Sequence, residues 1–188
     1  MKTFLNTIVI AFLFMFLSSC AKENSKTTST ESTSKQEKTG QAFIKDEGGI
    51  PNALQLAVKS KDHTTLVAAV KAAGVENALV NVGPLTVFAP NNDAFAKIDE
   101  NTLNDLLKPE NKSKLAYILT NHVAPSNYPI ETLKKNAKKQ RKLYMASGKY
   151  LNVTEKDGDL FVNGNKIIGT VNVSNGWVHV VENVILPE

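Results

Sequence analysis

Apolar and polar positions divide the chain into three stretches. Ile8 to Leu17 is an unbroken apolar block, and from Ala21 to Gly40 no large apolar residue occurs. From about residue 43 onward, apolar positions recur first with the 3.6-residue period of helices and then with the two-residue period of strands. Asn52 to Lys59 places Leu54, Ala57 and Val58 on one face. A second helix is expected from Asp62 or His63, carrying Leu66, Val67, Val70 and Ala73, with Gly74 where a C-cap needs positive φ. Leu85 to Ala89 reads as a short buried strand stopped by Pro90. Asn91, Asn92 and Asp93 are capping types for a short helix holding Ala94, Phe95 and Ile98. Asn101 or Thr102 would cap another through Leu107, ended by Pro109. From Glu110, Leu115, Ile118 and Leu119 share a helical face that His122 extends.

The second half reads as strands. Lys142 to Ala146 and Tyr150 to Glu155 are candidates, with a turn at Ser147-Gly148. Asp157-Gly158 is a strong hairpin signal between Leu151-Asn152-Val153 and Leu160-Phe161-Val162. Asn163-Gly164 turns the chain again before Ile167-Ile168. Asn175-Gly176 introduces Trp177 to Val181, and Val184-Ile185-Leu186 closes the domain. Helices followed by runs of strands predict the α+β class rather than alternating βαβ units. No internal repeat is visible, so one domain is expected over residues 43–188.

The apolar block is too short to span a hydrocarbon core of about 30 Å, which takes roughly 20 apolar residues. With Lys2 before it and Leu17-Ser18-Ser19-Cys20 after it, residues 1–19 have the order of a secretory signal. Cys20 is the only cysteine. A cysteine at the cleavage point resembles a bacterial lipobox, in which the thiol is alkylated by a diacylglyceryl group and the new amine is acylated. The other reading is a free cysteine in an ordinary signal peptide. Two or more acyl chains give a stable anchor at about 0.8 kcal/mol per buried CH₂, so lipidation of Cys20 makes the membrane a permanent partner. Residues 20–42 then form a flexible tether, since they have nothing to bury against the entropy of ordering. Ala21 after the cysteine points to the outer membrane of the cell envelope, with either the periplasmic or the surface face open.

Lysine and arginine total 22 against 18 acidic residues, a formal net charge of +4. That balance suits solubility and weak attraction to anionic surfaces, and it is not a nucleic-acid-binding composition. With no second cysteine there is no disulfide, redox pair or cysteine metal ligand. His63, His122 and His179 lack metal-ligand spacing, and no cofactor is implied. No nucleophile with a histidine and an orienting acid, no phosphate cradle and no paired carboxylates are readable, so the chain is not expected to be an enzyme.

Three blocks resemble the fasciclin (FAS1) domain family. The first is Leu85-Thr86-Val87-Phe88-Ala89-Pro90-Asn91-Asn92-Asp93-Ala94-Phe95, with Asn91 where threonine is more usual. The second is Tyr117-Ile118-Leu119-Thr120-Asn121-His122-Val123, which is similar to the segment with the family's recurrent histidine. The third runs from Asn175 to Pro187, with Glu182 where aspartate is commoner. The hairpin from Glu155 to Gly164 also fits, and the order is kept over residues 43–188. The resemblance implies a β-wedge or sandwich with several helices packed beside it, and adhesion or matrix-type binding. One departure is Tyr144-Met145-Ala146-Ser147-Gly148, which replaces a threonine-leucine-glutamine-glycine-like segment.

The resemblance also marks Asn92, Asp93, Tyr117 and His122 as candidate binding residues. Each has a plainer reading. Asn92 and Asp93 are helix caps at roughly 0.5–2 kcal/mol. His122 is a core histidine whose ring nitrogens bond to backbone groups. Tyr117 is off the stripe that carries His122. His179 shares its side of a strand with Trp177 and Val181, which favours packing or a strand-end hydrogen bond. His63 is expected at the surface, at a helix start. The densest surface charge is Lys134, Lys135, Lys138, Lys139, Arg141 and Lys142. If the segment is helical, Lys134, Lys138, Arg141 and Lys142 form one stripe that would attract an acidic polysaccharide or another polyanion; the plain reading is a solvated basic face. Arg141, the only arginine, is followed by Lys142, so an Arg-Gly-Asp motif is absent. Three functions stay open: an adhesion or binding module at the envelope, a periplasm-facing assembly protein that binds another envelope component, and a small-ligand binder or hydrolase.

Overall fold

The computed structural model of the protein describes residues 49–80 and 83–187. Residues 1–42, with the expected signal, Cys20 and the tether, lie outside the described residues, as do the first six positions of the expected domain.

The first half is helical, and its ends are set by side chains near in sequence. Helix α1 (Ala53–Lys59) opens on a capping box: Asn52 Oδ1 accepts from Gln55 N–H at 2.9 Å, and Gln55 Oε1 accepts from Asn52 N–H at 3.0 Å. A 3₁₀ turn at Lys61–His63 leads into α2 (Thr64–Ala73), one residue later than expected. Gly74 ends α2 at φ 67°; its N–H bonds Lys71 O, and Val75 N–H bonds Val70 O, a Schellman arrangement. A short helix the sequence pattern did not suggest, α3 (Glu76–Val80), follows.

Strand β1 (Leu85–Pro90) is buried along its whole length and includes Pro90 as its last residue. Helix α4 (Asn92–Ala96) is capped by Asn91, whose Oδ1 accepts from Ala94 N–H at 2.9 Å. Helix α5 (Glu100–Leu106) is capped by Asp99 rather than Asn101 or Thr102. The carboxylate accepts from Thr102 N–H at 2.9 Å, and an acceptor with full charge is the better complement to a helix N-terminus. Helix α6 (Lys112–Thr120) follows a 3₁₀ turn at Pro109–Asn111. It stops two residues short of His122, which therefore sits on the turn after the helix and not on its face. Strand β2 (Val123–Ala124) leads to α7 (Ile130–Lys138).

The second half is strand: β3 (Leu143–Tyr144), β4 (Tyr150–Leu151), β5 (Val153–Lys156), β6 (Asp159–Val162), β7 (Asn165–Val173) and β8 (Gly176–Val181). The expected strand over Tyr150 to Glu155 is interrupted at Asn152 and serves two ladders: β4 pairs with β3, and β5 pairs with β6. Asp157 (φ 53°) with Gly158 (φ 84°), and Asn163 (φ 47°) with Gly164 (φ 80°), form two-residue hairpin turns with both central residues left-handed. Val184 to Leu186, expected as a closing strand, pairs with no other strand among the described residues, although Ile185 is buried.

The main sheet has the order β2-β1-β8-β7-β6-β5. Within it β1 and β8 run parallel, in register Leu85↔Gly176 to Pro90↔Val181. Both faces are covered, and strand alternation sorts the side chains between two cores. Leu85, Val87, Ala89 and Val178 join one cluster with Leu54, Leu66, Val70, Leu115 and Ile118 of the helices. Phe88 and Val181 face the other cluster, with Leu133, Leu143, Met145, Leu151, Val153, Leu160, Val162 and Ile185. The far strands β5 and β6 thus curl back over the centre of the sheet. The result is an α+β domain in which a curled sheet carries helices.

Candidate functional site

Three groups of side chains carry the chemistry of this fold. The first is a pair of buried histidines beneath the second core. His122 is 2% exposed. Its Nε2 accepts from Ile185 N–H at 2.8 Å, which leaves the ring hydrogen on Nδ1 to donate to Ile118 O at 2.8 Å. Burial lowers its pKa from 6.5 to about 4, against the Ile118 carbonyl, which favours the charged ring. A proton on Nε2 would also face the Ile185 N–H, donor against donor. His179 is fully buried and stacks on Phe88 with ring centroids 5.5 Å apart. Its Nε2 donates to Tyr128 O at 2.8 Å and its Nδ1 accepts from the Thr170 hydroxyl at 2.9 Å. Burial lowers its pKa too, with the Tyr128 carbonyl opposing. Both rings tie distant segments together and have no free nitrogen to offer a ligand. Tyr117 lies 38% exposed on α6, and no hydrogen bond or ring contact joins it to His122 among the described residues.

The second group is the Asn91-Asn92-Asp93 turn. Asn91, not Asn92, caps α4. Asn92 instead reaches back 27 to 31 residues. Its Oδ1 accepts from Thr65 N–H at 3.1 Å and the Thr64 hydroxyl at 3.2 Å, and its Nδ2 donates to Lys61 O at 2.9 Å. His63, at the N-cap position of α2, makes no side-chain cap bond, so Asn92 supplies that cap from another element. Asp93 is exposed in the first turn of α4, beside an open cleft lined also by Asp62, His63 and Ile168.

The third group is the basic segment. Helix α7 is anchored by fully buried Leu133, and it ends at Lys138. Gln140 then turns left-handed at φ 52°, with Gln140 N–H on Ala137 O and Arg141 N–H on Asn136 O. This Schellman turn breaks the expected stripe: Lys134 and Lys138 stay on the helix, while Arg141 and Lys142 leave it toward β3. Lys135, Lys138, Lys139, Arg141 and Lys142 are exposed and Lys134 is half-buried. None of the six takes part in an ion pair among the described residues. Lys135 and Lys138 in the last turn complement the helix dipole, which supports the helix whatever else they do. Arg141 and Lys142 line one wall of an open groove, and Asn152, Thr154 and Glu155 line the other. On the neighbouring ribbon, Tyr144 and Tyr150 are cross-strand partners, 47% and 63% exposed, with ring centroids 5.3 Å apart.

Among the described residues no group of three or more His, Cys, Asp or Glu side chains is placed to hold a metal ion. The profile of the Fasciclin domain matches residues 61–187. The chain belongs to the fasciclin family. It is similar to protein sll1483 of Synechocystis sp., 42% identical over 135 residues that cover 71% of this chain and 72% of that protein. It also resembles transforming growth factor-beta-induced protein ig-h3 of Sus scrofa, 32% identical over 143 residues, which are 74% of this chain and 20% of that protein. Among solved structures, the FAS1 domain pair of the insect cell adhesion molecule fasciclin I superposes with a TM-score of 0.66 at 18% identity. It covers 73% of this chain and 51% of that one, and establishes the shared fold. Fasciclin domains are adhesion or binding modules, and no catalytic family is indicated.

Within that family frame, two features escaped the sequence reading. Asn92 as a cap for α2 has no sequence signal, because it acts across 27 residues. The Tyr144–Tyr150 pair was legible only as two tyrosines flanking Ser147-Gly148; the tight ribbon is what puts them side by side.

Proposed function

We propose that this fasciclin domain is a non-catalytic binding module of the bacterial cell envelope, held at the outer membrane by lipid on Cys20 and engaging an acidic polysaccharide. The observation that carries the partner is the exposed cluster of Lys135, Lys138, Lys139, Arg141 and Lys142, without ion pairs among the described residues, beside an open groove. The adjacent tyrosine pair offers aromatic faces on which sugar rings stack, and Asn152 and Thr154 offer hydrogen bonds to hydroxyls. Among the described lining residues of this groove, Glu155 is the one repulsive carboxylate. The anchor reading rests on the order of Lys2, the apolar block, Ser18-Ser19 and Cys20, and the polar stretch after it supplies the reach.

Binding to polygalacturonate, with neutral dextran as control, tests the partner. The variant Lys138→Gln/Arg141→Gln/Lys142→Gln is expected to bind about tenfold more weakly, three exposed charges each worth a few tenths to 1 kcal/mol. Added salt is expected to weaken the parent similarly, because the Debye length is about 8 Å at physiological ionic strength. Equal, salt-insensitive binding by both refutes the polysaccharide reading. Labelling cells with a radioactive fatty acid tests the anchor: label in the parent but not in Cys20→Ser supports it, and equal labelling removes it. Protease digestion of intact cells separates a surface-facing adhesion module from a periplasm-facing assembly protein.

A further inference from the structure

Between helices α1 and α2 and the central sheet lies a cavity of about 130 Å³, separate from the basic groove. Apolar side chains form most of its wall, Leu56, Ala57, Leu66, Val87, Ala89 and Val178 among them, and Ser60 and His63 are its polar members. The Ser60 hydroxyl is already engaged. Its Oγ accepts from Asp62 N–H at 3.2 Å and meets His63 Nδ1 at 2.8 Å. The bridging proton can sit on either partner, so Nε2 presents a donor or an acceptor according to the ring tautomer. That Nε2 is buried and has no hydrogen-bond partner among the described residues. Burial also lowers the His63 pKa, more than Asp62 raises it, so the ring is neutral near pH 7. His63 was expected as a surface residue at a helix start; the structure turns one of its nitrogens inward.

Size and polarity together say what fits. An apolar cavity of about 150 Å³ stays dry and holds a benzene ring. A buried water needs two to four polar partners, and this wall leaves one free group. His63 and Val180 line both the cavity and the open cleft at Asp62, Asn92 and Asp93, so a route from solvent is at hand. Val171 on the cavity wall and Ile168 at the cleft are 41% and 49% exposed, which makes the entrance apolar. They lie on β7, where the ladder to β8 is irregular between Ile167 and Gly169.

We propose that this cavity is a binding site for a small apolar molecule of about six to eight heavy atoms, ring-shaped or branched, that carries one hydroxyl or carbonyl group to pair with His63 Nε2. The site is independent of the polysaccharide groove, and neither proposal needs the other.

Phenol and benzene are the probes, titrated into the folded domain and followed by amide chemical shifts. Saturable shifts are expected around Ala57, His63, Ala89 and Val180, with phenol bound about two- to tenfold more tightly than benzene, the worth of one neutral hydrogen bond. Filling the cavity with Ala57→Leu, or with Ala89→Val should the first misfold, is expected to abolish binding of both. His63→Leu keeps the apolar wall and removes the partner, so it is expected to bind benzene more tightly than phenol. No saturable shift with either probe overturns the proposal, as does binding that survives both filling variants. An unchanged preference for phenol in His63→Leu overturns the role of the histidine.

Discussion

Acid should weaken this domain through His122 in a window that can be calculated. In the unfolded chain the imidazole titrates at its ordinary 6.5, and in the folded protein burial holds it at about 4. Between those values the unfolded state binds a proton that the native state refuses. Stability then falls as pH falls, by about 1.4 kcal/mol per pH unit. The stabilisation is complete above pH 6.5 and gone below pH 4. Its total is about 3 kcal/mol, a large share of the 5–15 kcal/mol typical of a domain. His63 and His179 are lowered as well and steepen the same slope, so the His122 share has to be isolated. The variant His122→Gln does so. It is expected to be less stable than the parent at pH 7.5, because the Ile185 N–H and the Ile118 carbonyl lose well-placed partners. Urea midpoints at pH 7.5, 6.5, 5.5, 4.5 and 4.0 give both stability curves. The gap between them should shrink by about 3 kcal/mol as pH falls to 4. Parallel curves would refute the reasoning, because they would mean that His122 takes up its proton equally well in both states.

Two further predictions concern backbone and capping. A Cβ at Gly176, where φ is 140°, would sit 1.8 Å from the carbonyl oxygen of Leu85 in the partner strand. Gly176→Ala is therefore expected to lose at least 3 kcal/mol, visible as a collapsed urea midpoint or as failure to accumulate folded protein; a midpoint within error of the parent would contradict it. Asn92→Ala removes the cap of α2 without touching the cap of α4, and is expected to cost about 1–2 kcal/mol. Hydrogen exchange should speed up at Thr65 and leave Ala94 unchanged, and the reverse pattern would restore Asn92 to the role its sequence position suggests.

Local chemistry was the legible part of this chain. Asp157-Gly158 and Asn163-Gly164 name their own turns, because a type I′ hairpin demands two positive φ values and few residue pairs tolerate them. Gly74 marks the end of α2 for the same reason. The helices α1, α2 and α6 announce themselves through amphipathic spacing. What stayed hidden depends on partners far away in sequence. Helix α3 is five residues long, too short for any period to emerge. His122 fits the spacing of a helical face, but the helix ends first and the ring is claimed by Ile185, 63 residues on. The basic stripe failed at a single residue, Gln140, whose left-handed turn no composition rule would assign to glutamine. The inward nitrogen of His63 depends on how α1 and α2 meet the sheet. Asn175 shows the mixture: it was legible as a turn residue, yet its side chain also accepts from Ala53 N–H and donates to Leu79 O, fastening two helices to one loop.

The parallel pairing of β1 with β8 also governs the order in which this protein can fold. Leu85–Pro90, the most deeply buried strand, gains its main neighbour only when Gly176–Val181 has been made, about ninety residues later. Until then a growing chain holds helices that lack the surface they pack on, and an apolar strand that lacks its partner. Long-range pairing of this kind is slow to form, since loop-closure entropy must be met before the contacts repay it. The fold is thus kept open until β8 has been made. If the chain is exported in extended form, as the proposed lipid anchor requires, that delay keeps it threadable, and β8 acts as the latch.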